Sequence, residues 1–193
     1  MGVASENPYF ETVRHALRRE TSAVHEELDR SLGSLNLTTT SQYATFLSVQ
    51  YAARYPIEIW AVRHCPSALR PPPQTGLIAS DLAALGRPVP VLRDADTFDA
   101  PADGAAGLAW TLAGSAMGNR LLLKRVRAGK PGMPAAFLAD DAMATFLAAI
   151  RPALERPAGS EPTLVSAIAA ARAVFAYFAS TTARMMPPVE KAA

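Results

Sequence analysis

Two glycines interrupt a stretch whose other residues favour helix. The run Ala109-Trp-Thr-Leu-Ala-Gly-Ser-Ala-Met-Gly-Asn-Arg-Leu-Leu-Leu-Lys124 is rich in strong helix formers, yet Gly114 and Gly118 fall in its middle. Each glycine costs roughly 1 kcal/mol against alanine at such a position. A spacing of four puts both on one helical face, about 6 Å apart along the axis at 1.5 Å per residue. Gly107 lies on the same face, seven residues before Gly114. The expected result is a stripe of bare backbone. Two uses fit it: a small-residue seam between close-packed helices, or a helix lying over a planar ligand with room to flex.

The first helix offers a second constraint. Phe10, Val13, Leu17, Val24 and Leu28 recur with helical period, and Thr21 fills the one gap. His25 stands beside this stripe, with Arg18 two turns before it and Asp29 one turn after. A neutral imidazole can bind a metal through one nitrogen while the other donates to an acceptor. A lone helical histidine is more often solvated or packed, so the spacing alone leaves both readings open.

The rest of the chain reads as helices joined by proline- and glycine-rich turns. Residues 10–32 form the first helix. Thr38 to Thr40 cap a second, residues 41–64, which Pro56 is expected to kink or break. A short helix over residues 77–85 stops at Gly86. A proline- and aspartate-rich connector leads to the glycine-bearing helix, 105–127. Helices over 142–154 and from a Ser160 cap onward complete about six. The last carries Leu164, Ile168, Ala171, Phe175, Phe178 and Thr182 on one face. No repeat or alternating strand pattern is present. The expectation is all-α: one helical-bundle domain over 1–193, with loose tails at 1–8 and after Arg184, 186–193 above all.

Composition narrows the function classes. No uninterrupted run of 18 apolar residues occurs, so no membrane span is expected. The N-terminus lacks a basic region followed by an apolar core, as a secretory signal would have. The single cysteine, Cys65, cannot form an intrachain disulfide and agrees with a cytoplasmic location. A net charge of +2 gives no nucleic-acid footprint. Lesser candidates are weighed beside these. His64-Cys65-Pro66 could present a thiolate to an iron, or simply end a helix. His15 sits about 80° around the helix from His25 and reads as solvated. Asp140 and Asp141 read as helix caps sooner than cation ligands. Arg14 could join Arg18 at an anion or remain a solvated charge.

Taken together, Leu17-Arg18-Arg19-Glu20-Thr21 through His25 and Trp110 through Asn119 resemble the heme oxygenase family. The nearest likeness is to the bacterial, bacteriophytochrome-associated branch. The segment Leu77-Ile-Ala-Ser-Asp-Leu-Ala-Ala-Leu-Gly86 is similar to that family's connector. The chain departs from the pattern at Trp110 (tyrosine), Ala113 (glutamate), Asn119 (glycine) and Asp29 (commonly glutamate). Ser115 stands where the better-known branch has aspartate. The resemblance implies a heme oxygenase-like all-α fold and His25 as the ligand of heme iron, with Asp29 orienting it. It implies Arg18 at a propionate, and Trp110, Phe175 and Phe178 around the heme. Gly114 and Gly118 would let the distal backbone approach bound oxygen, and Ser115, with ordered water, would supply a proton. Heme would be cofactor and substrate, opened with molecular oxygen to biliverdin, carbon monoxide and ferrous iron. Electrons would come from a ferredoxin or a flavoprotein reductase, and the product would serve a bacteriophytochrome. Two other classes stay open: a non-catalytic heme- or bilin-binding carrier or sensor, which the loss of glutamate at 113 and glycine at 119 favours, and a thiaminase-like helical enzyme, which the lack of a cysteine in the later helices disfavours.

Overall fold

The computed structural model describes residues 11–158 and 161–186. The expected tails at 1–8 and 187–193, the start of the first helix at Phe10 and the Ser160 cap lie outside the described residues. The architecture is all-α. Its helices are α1 (Val13–Gly33), α2 (Thr40–His64), α3 (Thr75–Ala84), α4 (Ala105–Gly114), α5 (Ala116–Gly129), α6 (Ala136–Ala139), α7 (Ala142–Leu154) and α8 (Glu161–Met185). Single 3₁₀ turns occur at Ser67–Leu69 and Ala102–Gly104. Among the described residues the only β-type pairing is an isolated Thr12–Pro157 bridge.

Local signals set most boundaries. The Thr12 hydroxyl accepts from His15 N at 3.3 Å and the Thr39 hydroxyl from Gln42 N at 3.4 Å, each satisfying a free donor of a first turn. The Glu58 carboxylate caps α3, accepting from Gln74 N at 2.7 Å and Thr75 N at 3.2 Å. Buried Asp81 caps α6 in the same way, through Ala136 N at 2.8 Å and Phe137 N at 2.9 Å. Gly86, at φ +67°, ends α3 as expected: Arg87 N reaches Leu82 O and Gly86 N reaches Ala83 O, both at 2.9 Å. Pro56 neither ends nor divides α2, which runs unbroken through it. Proline removes one donor there, but the residue is buried among packed neighbours, and tertiary contact outweighs that loss.

α8 is the spine. It packs on α1, α2, α4 and the Ala102–Gly104 turn. Among the described residues it is also the one helix long and apolar enough to cross a membrane, a property shared by core helices of this kind. α4 comes closest to it. A methyl group at Gly107 would fall inside the Ala167 carbonyl oxygen, and one at Gly104 would lie 2.5 Å from Ala170 Cβ and 2.6 Å from Ser166 O. Gly107 therefore belongs to a helix–helix seam and leaves the stripe expected of it with Gly114 and Gly118.

The connector of residues 87–101 is fastened across the bundle. Phe98 stands edge-on between Trp60, at 5.8 Å, and Tyr177, at 5.6 Å. Asp96, only 5% exposed, accepts from Arg93 Nη2 at 3.0 Å, Arg93 N at 2.9 Å and Arg184 Nη1 at 2.7 Å. Arg184 and Met185 are thus the last turn of α8 rather than a tail. The Arg93 side-chain and backbone donors, with the charge of Arg184, hold the Asp96 carboxyl down at about 2.

Two outcomes test this packing. Gly107→Ala is expected to destabilise the protein by about 2 kcal/mol, a fall in Tm of roughly 4–8 °C, because the clash is with backbone. Gly118→Ala, by contrast, gains helix propensity and melts no lower than wild type. Asp96→Asn is expected to lower Tm at neutral pH. The Asp96 pKa is lower folded than unfolded, so its stabilisation is complete above about pH 4 and drains as pH falls through about 2. The gap between wild type and Asp96→Asn in thermal melts should close over that window.

Candidate functional site: α1, α8 and the broken α4–α5 helix

The glycine-bearing segment is not one helix. It breaks at Ser115, where Gly118 N turns to Ser115 O at 3.2 Å, an i to i+3 bond that tightens the chain. Gly114 weakens the ladder just before, and the Ser115 side chain completes the break. Its Oγ donates to Leu112 O at 2.7 Å and accepts from Arg54 Nη2 at 2.8 Å. A methyl group built at Gly114 or Gly118 meets nothing within 4 Å. These two glycines face open space, the opposite of Gly107.

Arg54 supports the break from within. The residue is 2% exposed, on the buried face of α2 one turn after Gln50, whose Oε1 accepts from Arg54 Nε at 3.2 Å. Its guanidinium lies over the rings of Phe137, at 5.3 Å, and Phe178, at 5.8 Å. No carboxylate lies within ion-pair distance among the described residues. Burial pulls its pKa down to about 10, which leaves it charged at neutral pH. Neither Gln50 nor Arg54 emerged as a candidate from the sequence. The available signal was a cation spaced with Leu47, Gln50, Ile57 and Ala61 on the apolar face of α2.

The opposite wall is α1. His25, with its side chain 54% exposed, meets the edge of Phe175 at a ring separation of 5.5 Å. Its Nδ1 lies 3.6 Å from Asp29 Oδ2, too long for a direct hydrogen bond but within reach of one bridging water. Its Nε2 has no partner among the described residues. Arg18 is exposed and free of any ion pair among those residues. Phe175 and Phe178 are both buried, in one core cluster with Leu28, Trp60 and Leu112. α8 thus forms a floor linking His25, through Phe175 and Phe178, to Arg54 and Ser115.

In the first half of α1, Leu17 joins one cluster with Ala109, Ala113 and Ala116 and with Ala167 and Ala171 of α8. Farther along, α1 has no substantial packing on α5. Val24 on α1 and Met117 and Leu121 on α5 are left exposed, the latter two by 76% and 56%. Large apolar side chains bare beside two uncovered glycines mark a surface suited to an apolar, flat partner. Two shallow hollows lie elsewhere, about 370 Å³ at Tyr55, Glu58 and Thr75, and about 250 Å³ at Pro90, Asp96 and Arg184.

The remaining candidates take the following places. The Ser115 hydroxyl hydrogen is engaged by Leu112 O, so Ser115 has no proton to spare in this arrangement. Trp110 packs where two core clusters meet. Arg14 pairs with Glu155 at 2.8 Å instead of staying free. Cys65 is buried, with its thiol pushed up to about 11 by desolvation, and His64 packs tilted against Trp60 at a ring separation of 4.6 Å, so that pair offers no thiolate. His15 is exposed, as expected. Asp140 acts as a cap, accepting from Ala142 N and Gln74 Nε2, both at 3.1 Å. No group of three or more His, Cys, Asp or Glu side chains is placed to hold a metal ion among the described residues.

No protein-family model matches the chain. No curated protein matches it either. Among solved structures, the NO- and CO-bound heme oxygenase from Neisseria meningitidis is similar, at a TM-score of 0.71 and 19% identity over 94% of this chain and 95% of that one. The chain has the all-α fold of that heme oxygenase.

Gly118→Leu fills the uncovered space beside the break. Helicity by circular dichroism should be unchanged, while hemin, the ligand that the resemblance implies, binds roughly tenfold more weakly. Unchanged affinity would show that Gly118 faces bulk solvent only.

Proposed function

We propose that this protein is a heme oxygenase of the bacteriophytochrome-associated kind, cleaving heme to biliverdin with release of carbon monoxide and ferrous iron. The observation that carries this reading is an imidazole on α1 whose Nε2 has no partner among the described residues and two uncovered glycines on α4–α5, set around one floor of aromatic side chains. The residues present suit heme. Nε2 of His25 would hold the iron, and Asp29 would orient the ring through Nδ1. Arg18, with no ion pair among the described residues, would meet a propionate. Val24, Met117 and Leu121 would lie against the macrocycle, and the bare backbone of Gly114 and Gly118 would close over the other face. Bound heme would supply the oxygen chemistry and be its own substrate.

The chain's part is to bind, orient and limit water. Because Ser115 is committed to Leu112 and Arg54, protons would pass along ordered water beside the break. Electrons would come from a ferredoxin or a flavoprotein reductase. The biliverdin would pass to a bacteriophytochrome, in the cytoplasm. The carrier or sensor reading rested on Ala113 and Asn119. Both are buried, at 0% and 8% exposure, whereas Gly114 and Gly118 face uncovered space, which favours the enzyme reading.

Hemin is expected to bind one per chain with a histidine-ligated spectrum, and turnover with ascorbate or ferredoxin should release biliverdin and carbon monoxide. His25→Ala should lose both, with partial recovery on added imidazole, while Cys65→Ser and His64→Ala change neither. Binding without turnover would make the protein a carrier. A spectrum lost with Cys65 and kept without His25 would overturn the site.

A further inference from the structure

We propose that Arg54 is an electrostatic positioning residue: a buried guanidinium without an ion-pair partner among the described residues, fixed to Ser115 at the α4–α5 break, that makes the uncovered space beside Gly114 and Gly118 favour anionic over neutral ligands. The proposal rests on the heme reading above and concerns a residue which that reading does not require.

The argument starts from what surrounds the charge. The groups in direct contact with the guanidinium are neutral, Gln50 Oε1, Ser115 Oγ and the faces of Phe137 and Phe178, and the Glu58 carboxylate acts on it only from beyond ion-pair distance. The nearby acids are occupied elsewhere. Glu58, one turn on along α2, is held by Gln74 N and by the backbone and hydroxyl of Thr75. Asp81 is held by Ala136 N and Phe137 N. A paired buried charge has its field largely cancelled at short range, whereas an unpaired one in a low-dielectric surrounding projects it. The direction of projection is set by the one contact that reaches an exposed residue, Ser115. Its Oγ accepts from Arg54 and gives its own hydrogen to Leu112 O. The hydroxyl is therefore fixed and cannot donate to a ligand. What Arg54 delivers to the space beside Gly114 and Gly118 is charge, and no hydrogen bond.

The test uses the hemin-loaded protein and two iron ligands of different charge, azide and imidazole, titrated against the Soret band. Arg54→Met, close in length and apolar, should weaken azide binding about tenfold, the scale of one incompletely screened unit charge, and shift imidazole binding less than about twofold. Arg54→Lys keeps the charge and should hold azide affinity within about threefold. Equal losses for azide and imidazole, or no change in either, would overturn the proposal in favour of a purely structural role. Should only the lysine variant fold, a tenfold loss of azide binding in it overturns the proposal just as firmly. Failure of the wild-type protein to bind hemin would overturn the heme reading, and this inference with it. Hemin binding with no azide preference overturns the inference alone.

Discussion

The contact between bare backbone on α4 and the backbone of α8 fixes where everything else can lie. At Gly104 and Gly107 there is no room for even a methyl group, so the two helices meet along one register. The Ser166 hydroxyl, donating to Asp103 Oδ2 at 2.8 Å, pins the start of that register. With α4 locked, Leu112 falls into the core with Phe175 and Phe178, and Ser115 arrives above Arg54. α8 carries α1 as well, so the width of one helix sets the span between His25 and the glycines.

The buried arginine is costly, and four contacts make it tolerable. Taking a guanidinium out of water without a carboxylate costs several kcal/mol, which two neutral acceptors and two ring faces offset only in part. Such a residue gives little stability. It does specify one arrangement, because the break at Ser115 has to occur where the guanidinium can reach it.

Much of this was legible in the sequence, for identifiable reasons. Helical periodicity located α1, α2 and α7, the threonines at 38–40 marked the start of α2, and Gly86 marked the stop of α3 because a positive φ there suits glycine. The three distal glycines shared a helical face but not a function. Spacing cannot tell a seam from an uncovered surface, since what decides it is Ala167, sixty residues away. The break at Ser115 was invisible because its cause, Arg54, comes from another helix. The four-residue α6 was missed because its stability comes from Asp81, through a long-range cap. Arg184 read as tail for the same reason: its partner, Asp96, sits in a loop with no periodicity at all.

The first and last long helices meet in the finished fold. Arg172 on α8 donates to the Glu20 carboxylate at 2.6 Å and to its backbone oxygen at 3.2 Å, across 152 positions of sequence. Among the described residues α1 packs chiefly on α8. Its histidine sits on a lone amphipathic helix until α8 is in place, because the ring beside that side chain belongs to Phe175. Closing so distant a contact is slow and comes late. A chain cut before α8 would carry His25 with no aromatic ring against it.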